Sequence, residues 1–157
     1  MFITVFVIFL FMIEFFMLAG KSETNEKPII NSGFVRLTDE EIISVIRQVY
    51  SNLHIHSSKE DIITVFGTNF SSESPDKVLG NTWNYEYFRN YSASANGENK
   101  NDIELLKERN LGIKLTIKFN EHNLVHEAEM LYVMGKSNII YKVSFNSDGT
   151  VNETIIN

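Results

Sequence analysis

The chain reads as an α+β domain, with two N-terminal helices packed on one face of an antiparallel sheet built from a Trp/Tyr-rich strand and two hairpins. Three observations predict this. Apolar residues recur at helical spacing behind two capping sequences between residues 38 and 66. From Trp83 onward the apolar period shortens to two. Two short polar turns, centred on Asn123 and Gly149, then punctuate the C-terminal part as hairpins require.

The bulk numbers agree with one domain. The chain has 157 residues, 43% of them hydrophobic and 22% charged, which are globular values. A formal net charge of −6 lacks the basic footprint of phosphate recognition and argues against nucleic acid as a partner. The absence of cysteine removes disulfides, thiolate nucleophiles and Cys-based metal sites.

Residues 1–20, MFITVFVIFLFMIEFFMLAG, are apolar apart from Thr4 and Glu14. A helix of about 20 residues rises about 30 Å, enough to cross a bilayer core. The segment therefore reads as a signal peptide or an N-terminal membrane anchor, and the expected location is extracytoplasmic, membrane-anchored or secreted. No basic residue precedes the run. Glu14 at mid-bilayer would cost about 2.5–3.5 kcal/mol. Residues 21–36, polar and carrying Pro28 and Gly33, form a linker to a single domain at 37–157.

Within that domain, Thr38-Asp39-Glu40-Glu41 is a capping box. Behind it Ile42, Ile46, Val49, Tyr50 and Leu53 fall on one helix face. Ser57-Ser58-Lys59-Glu60 repeats the device ahead of Ile62, Ile63, Val65 and Phe66, and Gly67 supplies the stop. Residues 68–81, rich in Ser and Asn and containing Pro75, read as a surface loop. Trp83, Tyr85 and Tyr87 then alternate with Asn84, Glu86 and Phe88, as a half-buried strand should. A polar run at 91–102 has loop composition, and residues 102–109 add a helical turn or two. Ile113, Leu115, Ile117 and Phe119 face one way, and Lys114, Thr116 and Lys118 the other.

The tail echoes itself, since residues 119–127 and 145–153 both read as strand, turn, strand. Two registers are open for the first hairpin. A symmetric turn opposes Ile117 to His126, whereas a bulged turn opposes Phe119 to Val125 and sets Glu127 beside Ile117.

Residues 58–67 resemble the helix start, apolar pair and glycine of the SmpA/OmlA (BamE-like) envelope lipoproteins. Trp83-Asn84-Tyr85 is similar to their W-x-Y strand, and residues 115–125 to their hairpin. The β-lactamase-inhibitor-protein repeat shares the same layout. The resemblance spans about residues 38–133 and implies a non-catalytic binding domain of the cell envelope. Lys21 stands where the lipidated cysteine of that family would be.

Candidate chemistry is sparse. As a partner surface, Trp83, Tyr85, Tyr87 and Tyr91 would be the anchors, because Trp and Tyr dominate interface energetics. As core, the rings of the strand simply cover the helices. His54 and His56 have strand spacing and His122 and His126 flank a turn, but no motif gathers them on a metal. Asp39, Glu40 and Glu41 are explained by helix capping, and Glu127 and Glu129 by cross-strand lysines. No nucleophile motif, P-loop or dinucleotide fingerprint occurs. The expectation is a non-enzymatic protein-binding domain without metal or cofactor. The alternatives are a secreted inhibitor or immunity-type binder, or a small-ligand carrier with an apolar cavity near Trp83.

Overall fold

A computed structural model describes residues 38–74, 76, 79–91, 100–135 and 138–156. The expectations for residues 1–20 and for the 21–36 linker lie outside these.

Each helix begins where a side chain can satisfy free amides. Helix α1 spans Asp39–Asn52 and is capped by Thr38, whose Oγ1 accepts from the Glu41 amide while Glu41 accepts from the Thr38 amide at 2.9 Å. Helix α2, Lys59–Phe66, uses Ser58 and Asp61 in the same way and ends at Gly67, whose φ is +79°. Helix α3, Asp102–Lys107, is capped by Asn101 and Glu104. Six strands form one antiparallel sheet in chain order: β1 Ser71–Ser72, β2 Thr82–Tyr87, β3 Ile113–Phe119, β4 Val125–Met134, β5 Ile139–Phe145 and β6 Val151–Ile156.

This architecture corrects the one expected from the sequence. The sheet gains a sixth strand, because β1 pairs with β2 through Ser71–Asn84 and Ser72–Trp83 in a stretch that reads as loop. Among the described residues the helices are three, and they are not gathered on one face of the sheet. Lys114 points away from Leu115, and its ammonium pairs with Asp102 in the first turn of α3. Val133 and Ile140 share that parity and are fully buried, with α3 lying against β4 and β5. On the other face α2 meets β2, where Phe66 packs against Tyr85 and the Tyr85 hydroxyl donates to the Gly67 carbonyl at 3.0 Å. Helix α1 reaches β5 through Tyr50 against Phe145. Tyr50 therefore sits at the margin of the apolar stripe, not within it, and is 42% exposed.

The two hairpins share one turn geometry. Asn120 and Asn146 each donate to the residue four positions on, at 2.9 Å, and each accepts from the residue three positions on. The left-handed residue closing each turn is Asn123 (φ +59°) or Gly149 (φ +80°). In the first hairpin Phe119 opposes Val125, yet Lys118 opposes Glu127 and Ile117 opposes Ala128. His126 is the extra residue of a bulge, so neither simple register holds. The cause is distant in sequence: the Val125 amide donates to Ser57 and its carbonyl accepts from His56, both at 2.8 Å. The bulge returns Ala128 to the apolar face and sets Glu127 against Lys118.

Trp83 anchors the core and is 0% exposed. It stacks on Phe70 at 4.1 Å and meets the edge of Phe119 at 4.6 Å. The buried Lys59 ammonium lies 5.6 Å over the indole and 5.3 Å over the Phe119 ring, while its alkyl stem packs inward. At the opposite end of α1, Arg109 donates to the Gly135 carbonyl and to Asn138, and pairs with Asp39. Truncating Trp83 removes the common partner of three groups. Trp83→Ala is expected to cost about 3–5 kcal/mol, read as a lower urea midpoint at unchanged slope. An unchanged midpoint would contradict the packing described.

Candidate functional site

The four aromatic residues predicted as partner anchors do not form one surface. Trp83 and Tyr85 are buried in the core, which removes both rings from any partner. Tyr87 is half-buried at the end of β2, and burial pushes its phenol up to about 12. Tyr91 is 71% exposed and carries the Arg89 guanidinium 5.7 Å over its ring. Among the histidines, His54 and His56 are exposed at the end of α1, His122 lies 3.6 Å from Glu121, and His126 is the bulge residue. Among the described residues no three of His, Asp and Glu are grouped to hold a metal. No helix among them is long and apolar enough to cross a membrane.

The distinctive surface is strand β6. Among the described strands it pairs with β5 alone, and residues 151–155 are all exposed. The hydrogen-bond phase of the hairpin decides which amides are spent. Asn146 and Thr150 form a bonded pair, and bonded and non-bonded pairs alternate along an antiparallel ladder. Asn152 and Thr154 therefore face β5, whereas the N–H and C=O groups of Val151, Glu153 and Ile155 point away from the sheet. The side chains of these three project on the face carrying Phe145, Val143 and Tyr141. Val151 and Ile155 are 47% and 56% exposed.

Beside this edge lies a cluster of rings around one carboxylate. Tyr132 donates to Glu153 Oε2 at 3.1 Å and stacks on Tyr141 at 5.1 Å. Tyr50 packs on Phe145 with ring centroids 5.6 Å apart. Burial raises the phenols of Tyr50 and Tyr132, and the Glu153 charge raises both further. The edge continues into a trough of about 460 Å³, whose lining includes the apolar Tyr50, Phe145 and Val151 and the polar His54, His56 and Asp148. Trp83 does not line it. The trough is therefore not the cavity near Trp83 that a carrier would use.

Sequence reasoning passed over β6 because Val151-Asn152-Glu153-Thr154-Ile155 alternates like any half-buried strand. One signal was available. Glu153 occupies the apolar parity, opposite the fully buried Val143.

Fold and site thus define a small α+β domain whose described sheet ends in an exposed edge at β6 next to an acidic aromatic cluster. Comparison with family models, curated proteins and solved structures returns no match, and nothing there supports the resemblance to SmpA/OmlA proteins or to the β-lactamase-inhibitor repeat.

Proline substitutions test the edge geometry. Ile155→Pro removes an amide that faces outward and is expected to leave the fold intact, whereas Thr154→Pro removes a ladder bond and lowers the urea midpoint markedly. Equal loss in both variants would mean that the phase is misassigned. The phenols supply a second test. Unfolded tyrosines ionise near pH 10, while Tyr85, Tyr87 and Tyr132 keep their protons to higher pH in the fold. The folded state then binds more protons, so stability falls as pH rises from 10 towards 12, by up to about 1.4 kcal/mol per pH unit for each phenol. Lys59 acts in the opposite sense, because burial lowers its ammonium and the unfolded state holds more protons there. Three phenols outweigh one amine. Urea melts between pH 8 and 12 should show the decline, and Tyr132→Phe should make it shallower.

Proposed function

We propose that this chain is a non-catalytic protein-binding domain, exported and held at a membrane through residues 1–20, whose contact surface is the β6 edge and the adjoining trough. The observation that supports it is the terminal strand β6, which among the described residues pairs on one side only. It combines three outward amide and carbonyl pairs, the exposed Val151 and Ile155, and the partly exposed Tyr50 ring. Strand addition needs these components: main-chain bonds for affinity, and alternate side chains for specificity. Placing the domain at a membrane draws on the apolar run of residues 1–20.

The alternative within the same class is a secreted inhibitor or immunity-type binder, released when the leader is cleaved. Alkaline extraction of membranes and N-terminal sequencing of the natural product separate the two, since an anchored form keeps Met1–Gly20 in the pellet. For the contact surface, a photo-crosslinking residue is placed at Ile155 or at Thr116, which lies mid-sheet on the opposite face. A discrete adduct in intact cells is expected from position 155 and not from position 116. Adducts from 116 alone would remove the edge from the reading.

A further inference from the structure

The edge carries more chemical information than its backbone. Its central outward-facing residue is Glu153, and its two flanking outward-facing residues are Val151 and Ile155. Glu153 is exposed, yet one carboxylate oxygen is held by the Tyr132 hydroxyl at 3.1 Å, so the charge has a fixed place over the face of the sheet. Tyr132 is itself buried and fixes the carboxylate through its hydroxyl, while the more accessible rings beside it are Tyr141, stacked on Tyr132, and Tyr50. A carboxylate among tyrosine rings is a receptor for a cation, because both the charge and the ring quadrupoles attract a positive group. Nearby Asp148 adds a second acidic group at the turn that lines the trough. No basic side chain occurs within β6.

We propose, resting on the reading above, that the β6 edge accepts an extended segment of another protein carrying a lysine or arginine opposite Glu153, flanked at alternate positions by apolar residues that cover Val151 and Ile155. A second copy of this chain fits poorly. The two-fold antiparallel pairing that uses all three outward amides is centred on Glu153, and it sets that carboxylate directly against its own copy. Like charges opposed across a ladder are destabilising. Sliding the register by one bonded pair relieves this only by losing backbone bonds and placing Glu153 against Val151 or Ile155. The acidic centre therefore disfavours self-pairing and favours a basic strand.

The test uses the full-length chain in mild detergent and two synthetic nine-residue peptides. Both alternate valine with threonine, one around a central lysine and the other around a central glutamate. Binding is followed by amide chemical shifts and by titration at low salt. The lysine peptide is expected to bind about five- to tenfold more tightly than the glutamate peptide, with shifts confined to β6 and the tyrosine cluster. Glu153→Lys should invert the preference, and Ile155→Pro should weaken both peptides in a chain whose spectrum is otherwise unchanged. Equal binding of the two peptides, blocked by Ile155→Pro, would overturn the basic-partner inference and leave the edge as the contact surface. Failure of the lysine peptide to bind the folded chain overturns it as well. So would a dimer of the chain that Ile155→Pro abolishes, since that result gives the edge to a second copy.

Discussion

Everything distinctive about this domain follows from a mismatch between the width of its sheet and the amount of helix available to cover it. Six strands in chain order make a sheet about 24 Å across, whereas two helices side by side cover about 20 Å. The three described helices have 14, 8 and 6 residues, and α3 lies on the opposite face from the contacts of α2. Cover is concentrated on the middle strands, where Leu115, Met130 and Val143 are fully buried. It runs out at β6. The hydrophobic term that fixes β3 and β4 so firmly is weak there, and β6 is held mainly by its ladder with β5.

The first half of the core compensates with aromatic packing. Phe70, Trp83 and Phe119 come from three segments and meet within 4.6 Å, and Lys59 closes the stack with its stem inside and its charge over two rings. This cluster ties the start of α2 to β2 and to the first hairpin. The same hairpin is fixed from a second direction, by the backbone bonds of Val125 to His56 and Ser57. Those bonds require the bulge at His126, and the bulge lets Glu127 face Lys118 while Ala128 stays inside. A local irregularity thus preserves the alternation of the whole strand.

How far this was legible in the sequence depended on whether the determinants were local. Thr38 with Glu41 announced α1, and Ser57-Ser58-Lys59-Glu60 announced α2 one residue early, since the box that forms is Ser58 with Asp61; a capping box is a four-residue device. The alternation of Ile113 to Phe119 marked β3 for the same reason. The third helix carries an equally good box, Asn101 with Glu104, but only six residues follow it, and tertiary contact has to stabilise so short a helix. Phe70 stands alone among polar neighbours, so nothing nearby marked it as core. The His126 bulge depends on residues nearly seventy positions upstream. Exposure of β6 depends on how far helices extend across a sheet, and its local trace within Val151–Ile156 is Glu153 at the apolar parity. For the aromatic strand, period alone showed alternation without saying which of its rings would meet water.

An open apolar edge is a hazard as well as a resource, since unpaired strands add to one another. In this chain a single side chain addresses both aspects. A charge at the centre of an edge strand makes symmetric self-pairing unfavourable, which is how natural sheets keep free edges soluble. The same charge, once held by the Tyr132 hydroxyl, gains a defined position and can discriminate between partner strands. Were Glu153 replaced by an apolar residue, β6 would present Val151 and Ile155 with an uninterrupted apolar row and no means of choosing among strands. With Glu153 in place, backbone bonds available to any extended chain become selective for those that bring a cation to the tyrosines.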